Sequence, residues 1–244
     1  MDKETGPLNS YEKETLKELT GETMRPGGFE ITKEAVSFCG FPRGANILDV
    51  GCGSGATVRY LIENYGMNVL GIDCSQVMIE KGQKAYPGLP VLQGRAEDLP
   101  VSDGEIDGLL MECSLSLMED IDLVLSECYR VLSDSGRLII SDLYFKNKPV
   151  STEGIDSIHS YYTGASTKET LLAKLEAHNF EVELWQDKSA WLYQMVVDSI
   201  IKFGSLDNLW YCILPVAKDQ NITREQIKQW KLGYFLSIAK KVNR

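Results

Sequence analysis

The residues best placed to do chemistry lie in Ile47-Leu48-Asp49-Val50-Gly51-Cys52-Gly53-Ser54-Gly55. An apolar run that stops at alternate glycines reads as a buried strand turning sharply into a helix. Glycine lets such a turn take positive φ and lets a ligand pass close to the backbone. The N–H groups of the turn then face the crevice at the carboxyl end of the strand, where open α/β sheets hold ligands. Asp49 puts a negative charge on the crevice floor, where it can accept from loop N–H groups or attract a cationic group. Asp73 follows Gly51 by 22 residues, at the end of the next apolar run. A carboxylate there can accept both hydroxyls of a ribose, which points to an adenosine-containing cofactor.

Two cofactor classes share this spacing. Gly51-x-Gly53-x-x-Ala56 also fits the pattern that binds a nicotinamide dinucleotide. A pyrophosphate favours bare N–H groups and a helix dipole, and gains nothing from a neighbouring carboxylate. An amino acid carrying an ammonium group suits Asp49. The acidic loop therefore tilts toward S-adenosylmethionine.

The elements that must position these residues alternate in type. Strands are expected over 46–50, 68–73, 91–94, 106–112, 136–143, 180–186 and 234–240. Helices are expected over 10–19, 32–38, 55–64 and 75–85. One more has its apolar face at Ile121, Val124, Leu125, Cys128 and Leu132, and a last one spans 166–178, where Ser166 and Glu169 have capping-box spacing. Short strands alternating with helices imply right-handed crossovers and a parallel sheet covered on both faces. The segment 190–230 is mostly helical and rich in large apolar side chains, either extra core or a lid over a pocket.

Composition bounds the function. The chain has 244 residues, 43% hydrophobic and 25% charged, which is globular composition in one domain. Its net charge of −10 repels phosphate backbones and anionic lipid, so no nucleic acid and no membrane partner is expected. The amino-terminal residues have no signal-peptide character and no run is long enough to span a membrane. Six scattered cysteines without a C-x-x-C pair read as reduced thiols of a cytoplasmic protein, with no metal site.

Four segments together resemble the class I S-adenosylmethionine-dependent methyltransferases. They are the Asp49–Gly55 loop, Gly71-Ile72-Asp73-Cys74-Ser75 with Met78, Gly94-Arg95-Ala96-Glu97-Asp98-Leu99-Pro100, and Glu127-Cys128-Tyr129-Arg130-Val131-Leu132 followed by Gly136-Arg137-Leu138. The chain is most similar to the small-molecule branch that includes ubiquinone/menaquinone C-methyltransferases and arsenite methyltransferases.

The resemblance implies an α/β three-layer sandwich, a Rossmann-like methyltransferase fold. Its seven-stranded sheet is mostly parallel in the order 3-2-1-4-5-7-6, with strand seven antiparallel. One domain would comprise a helical cap (1–45), a cofactor-binding core (46–188), a helical insertion (189–231) and the last strand (232–242). S-adenosylmethionine would rest its methionine part on Gly51 and Gly53 beside Asp49, its ribose on Asp73 and its adenine against Cys74, Ala96 and Glu97. Glu112 would line the cofactor near the acceptor. Arg95 stands where many relatives carry an acidic residue, which shifts the adenine edge to Ala96 and Glu97.

For the small-molecule methyl acceptor, Arg25, Cys113, Tyr161 and Tyr162 are the candidate contacts. Arg25 is expected either to close over the pocket and pair with a carboxylate of cofactor or substrate, or to lie in a solvated turn. Cys113 sits where arsenite-methylating relatives have a metalloid-binding thiol, but Tyr161 stands where they place a second one. His159 is a candidate base or a loop residue, and His178 a complement to a helix dipole. Two other readings stay open: a nicotinamide-dependent oxidoreductase, and a non-enzymatic protein that binds S-adenosylmethionine.

Overall fold

The computed structural model describes residues 21–23, 25–147, 164–203 and 231–243. Five strands follow one another in parallel crossovers: β1 (Asn46–Val50), β2 (Asn68–Asp73), β3 (Val91–Gln93), β4 (Ile106–Glu112) and β5 (Leu132–Phe145). Helices α1 (Gly28–Cys39), α2 (Ala56–Tyr65), α3 (Gln76–Ala85) and α4 (Ile121–Val131) alternate with them. The two-residue strand β6 (Ser166–Thr167), α5 (Lys168–Ala177), β7 (Phe180–Asp187), α6 (Ser189–Phe203) and β8 (Leu232–Lys241) complete the described chain.

The sheet runs β3-β2-β1-β4-β5-β8-β7, with β6 paired only to β5. Apart from that short β6, this is the expected order. Strand β8 is antiparallel to both neighbours, pairing Leu143 with Tyr234 on one side and Gln186 with Leu236 on the other. The interior strands are buried on both faces, which is why their sequences are continuously apolar.

Successive side chains of a strand point to opposite faces, and the core divides accordingly. Ile47 joins Ile31, Val36, Leu61 and Ile79 in the layer of α1, α2 and α3. Leu48 joins Val124, Leu125, Leu171 and Leu175 in the layer of α4 and α5. Leu192, Met195 and Val196 of α6 pack against the first layer. The result is helix, sheet, helix.

Several boundaries differ from the sequence reading. The cap of α5 is Thr167, whose hydroxyl accepts from the Thr170 N–H at 3.3 Å. Ser166 instead pairs with Tyr144 of β5, because adjacent Ser and Thr offer two capping frames and the sheet takes one of them. Helix α1 starts four residues earlier than expected, with Gly27 in the left-handed conformation as its cap. Strand β5 is longer at both ends than 136–143. The expected helix at 10–19, His159, Tyr161, Tyr162 and all of 204–230 lie outside the described residues.

Candidate active site

The turn between β1 and α2 is built as its glycines require. Gly51, Gly53 and Gly55 have φ of 78°, 56° and 79°. A Cβ on Gly51 would lie 2.3 Å from that of Ser114, so only glycine lets the loop after β4 come this close. Ser114 uses the proximity to donate to the Val50 carbonyl at 2.7 Å.

Asp73 ties the turn to its neighbour. Its Oδ2 accepts from the Gly53 N–H and its Oδ1 from the Ser75 N–H, both at 2.8 Å. The carboxylate at the end of β2 therefore braces the glycine loop and the start of α3 together. It is 8% exposed, at the edge of a cavity of about 300 Å³. That volume is at the lower end of small-molecule sites.

Asp49, Gly51, Gly53, Asp73, Cys74, Ala96, Glu97 and Glu112 all border this one cavity, as do Arg25 and Cys113. Glu22 and Thr23 wall it from the amino-terminal side, and Leu117, Met118 and Glu119 from the loop after β4. These five carry no motif in the sequence. At the rim Arg95 reaches both Glu97 and Glu119 at 3.3 Å, which accounts for a basic residue at that position.

The inner wall is a closed polar network. Arg25 Nη2 lies 2.8 Å from Glu112 Oε2, with both side chains almost wholly buried. The guanidinium also donates to the hydroxyls of Thr32 (2.6 Å) and Thr57 (3.1 Å). Each hydroxyl in turn donates to Glu112, at 2.8 and 3.0 Å. The partner of Arg25 is thus the chain's own Glu112, where the sequence reading expected a carboxylate of cofactor or substrate, or a solvated turn. The two residues are far apart in sequence, and no local pattern links them. Thr32 and Thr57 were missed for the same reason. One donor, Arg25 Nε, is buried and unpartnered among the described residues.

Asp49 differs from Glu112 in having no ion pair among the described residues. It is 2% exposed, and its carboxyl is pushed up to about 8, first by burial and then by repulsion from Glu112 and Asp73, with Arg25 opposing. Burial also drives the thiols of Cys52 and Cys113 well above their ordinary range. Both are therefore thiols at neutral pH, poorly suited to hold a metalloid as thiolates.

Cys113 has φ of 54°, a strained backbone for a residue with a Cβ. Its N–H donates to the Ser141 carbonyl at 2.7 Å, and its Sγ lies 3.3 Å from the Tyr234 hydroxyl. Tyr234 donates onward to Ser141 Oγ at 3.1 Å. The sequence marked Tyr234 only as a strand residue. Among the described residues no group of three His, Cys, Asp or Glu side chains is placed to hold a metal ion, and no helix is long and apolar enough to cross a membrane. His178 caps the end of α5 through Nδ1, 2.8 Å from the Lys174 carbonyl.

Comparison with known proteins agrees with this geometry. The family described as "Methyltransferase domain" matches residues 48–140. The O-methyltransferase resE of Aspergillus sclerotiorum is 32% identical over 148 residues, 58% of this chain and 56% of that protein. The demethylmenaquinone methyltransferase of Streptomyces avermitilis is 32% identical over 126 residues, 51% of this chain and 54% of that protein. The chain thus spans just over half the length of these curated relatives.

Among solved structures, the Haemonchus contortus phosphoethanolamine N-methyltransferase 2, in complex with S-adenosyl-L-methionine, superposes with a TM-score of 0.74. It shares 15% identity and covers 93% of this chain and 56% of its own. The [4+2]-cyclase SpnF has a TM-score of 0.70 and 20% identity, covering 95% of this chain and 93% of its own. These likenesses show the fold, a Rossmann-like methyltransferase sheet.

Proposed function

Starting from a chain whose residues 48–140 belong to the methyltransferase-domain family, we propose that it is an S-adenosylmethionine-dependent enzyme that methylates a small molecule. One observation carries this reading. Asp49 and Asp73, at the ends of adjacent strands, open on one cavity with the glycine turn between them.

The donor set fits this cofactor. Each Asp73 oxygen already accepts one backbone N–H, and a carboxylate oxygen accepts more than one donor. Asp73 thereby suits a ribose diol. Asp49, buried without an ion pair among the described residues, suits an ammonium group. A dinucleotide fits less well, because its pyrophosphate would meet Asp49, Asp73 and Glu112 while Arg25 is already committed to Glu112. The nicotinamide reading is therefore the weaker one.

Bound S-adenosylmethionine supplies a methyl group on a sulfonium, displaced in line by an electron-rich acceptor atom. The protein's part is alignment and exclusion of water. In this reading Gly51 and Gly53 carry the methionine part on their backbone. Cys74, Ala96 and Glu97 hold the adenine. The Arg25–Glu112 network fixes the inner wall, and Cys113 lines the approach of the acceptor. Tyr161 and Tyr162 remain candidates for the acceptor side. Residues 1–244 form one methyltransferase domain, in the reducing cytoplasm. Support for that location comes from the free thiols of Cys39, Cys52, Cys74, Cys113 and Cys128.

Calorimetric titration tests the reading. S-adenosylmethionine or S-adenosylhomocysteine is expected to bind and NAD(P)H to give no heat. Binding of the dinucleotide alone overturns the proposal. The cyclase among the structural neighbours keeps a second reading alive, because this fold also carries chemistry other than methyl transfer. A screen for methyl transfer to small quinols, phenols and amines separates the two.

A further inference from the structure

Six carboxylates and two guanidiniums line the cavity, and both guanidiniums are spoken for: Arg95 lies at the rim against Glu97 and Glu119, and Arg25 at the inner wall, which it shares with Asp49, Asp73 and Glu112. Arg25 lies 2.8 Å from Glu112 and is held there by Thr32 and Thr57. Asp73 is steadied by the N–H groups of Gly53 and Ser75. Asp49 is deeper than Asp73, and among the described residues no Lys, Arg or His forms an ion pair with it. A desolvated carboxylate without a counter-charge takes a proton rather than stay ionised beside other anions.

We propose that Asp49 carries a proton in the ligand-free protein and releases it to solvent when an ammonium-bearing nucleoside seats in the cavity, making ligand binding proton-coupled. This rests on the cofactor reading above. The charged and titratable groups around Asp49 are Glu112 from β4, Asp73 from β2, Arg25 from the amino-terminal segment and Cys52 from the glycine loop. Glu112 is already paired with Arg25, and burial keeps the Cys52 thiol protonated. Asp49 is left as the group able to exchange. Its carboxyl, pushed up to about 8, agrees with the geometry. Once the ammonium is beside it, the added positive charge favours the ionised form. One O–H bond breaks at Asp49, and the pair formed is carboxylate and ammonium.

The test is calorimetric titration of the whole chain with S-adenosylhomocysteine at about pH 6.5, in two buffers of different ionisation enthalpy. About one proton is expected to be released per ligand bound. The probe 5′-methylthioadenosine has the nucleoside without the ammonium and is expected to release none. Affinity of the wild-type protein for S-adenosylhomocysteine should rise about tenfold from pH 6.5 to pH 8, as expected for a group ionising near 8. Asp49→Asn is expected to bind without releasing a proton. Should that variant fail to fold, the wild-type pH dependence decides alone.

Binding whose heat is independent of buffer and whose affinity is flat with pH overturns the proposal and leaves the cofactor reading intact. Proton release that persists in Asp49→Asn overturns it as well. Failure of both ligands to bind defeats the cofactor reading and the proposal with it.

Discussion

Asp73 braces the fold with the same two oxygens that the proposed ribose contact would use. Removing it in Asp73→Ala should weaken S-adenosylhomocysteine binding by about 1–3 kcal/mol, the scale of a lost charge-assisted hydrogen bond. Calorimetry checks this, and an unchanged affinity removes Asp73 from the site. Arg25 poses a different question, because its guanidinium is buried against Glu112. Arg25→Ala leaves that carboxylate uncompensated and should cost about 3–5 kcal/mol of stability in urea unfolding. The double change Arg25→Met with Glu112→Leu should cost much less, since it strands no charge. Equal losses would mean that the pair does not anchor the wall. Asp49 has the opposite sign. Its folded value of about 8 lies above the ordinary carboxylate range near 4, so it contributes full stability below about pH 4. That contribution is lost as pH rises through 8. Asp49→Asn removes the loss, so the melting temperature of the ligand-free variant relative to wild type should climb from pH 5 to pH 9. A constant difference would show that Asp49 does not titrate in that window.

Elements that end in chemical punctuation were legible from sequence, and those held by distant partners were not. Strand β2 ends at Asp73 because the carboxylate turns the chain by accepting the Ser75 N–H, and β4 spans the expected 106–112. Helix α3 starts after Ser75, whose hydroxyl accepts from the Met78 N–H at 3.2 Å. By contrast β5 runs on to Phe145 because β6 and β8 pair with its end, a fact of the sheet and not of its own residues. The segment of Glu22, Thr23 and Arg25 shows the same limit. Glu22 and Thr23 carry no motif, yet the segment is pinned inside by the Arg25–Glu112 pair and outside by Glu22. Glu22 meets Arg59 at 2.6 Å and accepts from the Tyr86 hydroxyl at 3.0 Å. Arg59 in turn lies over the Tyr86 ring. The outer contacts are solvent-exposed, so Glu22→Gln should change global stability by less than about 1 kcal/mol. Because Glu22 and Thr23 wall the cavity, the same change should speed amide exchange at residues 21–23. Hydrogen exchange read by mass spectrometry checks this, and unaltered protection there would show that Glu22 does not hold the segment down.

At the scale of the whole molecule, charge connects the surface to the cavity. The chain carries −10 overall, and among the described residues six acidic side chains, Glu22, Asp49, Asp73, Glu97, Glu112 and Glu119, line the site against the two guanidiniums of Arg25 and Arg95. S-adenosylmethionine has a sulfonium, an ammonium and a carboxylate, a net charge of about +1 at neutral pH, whereas its demethylated product is neutral overall. A negative protein with an acidic crevice attracts the first from a distance and is indifferent to the net charge of the second. That attraction is screened over about 10 Å at 0.1 M salt. Stopped-flow binding should therefore show the cofactor associating faster than the product at low salt, with the two rates converging as salt is raised. The acidic composition was visible from the start and argued only against anionic partners. The fold gathers Asp49, Asp73 and Glu112 at adjacent strand ends, and that placement is what turns a global excess of charge into the expectation of a cationic ligand. Identical salt dependence for the two ligands would show that the field outside the cavity does no steering, and that any discrimination arises from contacts within it.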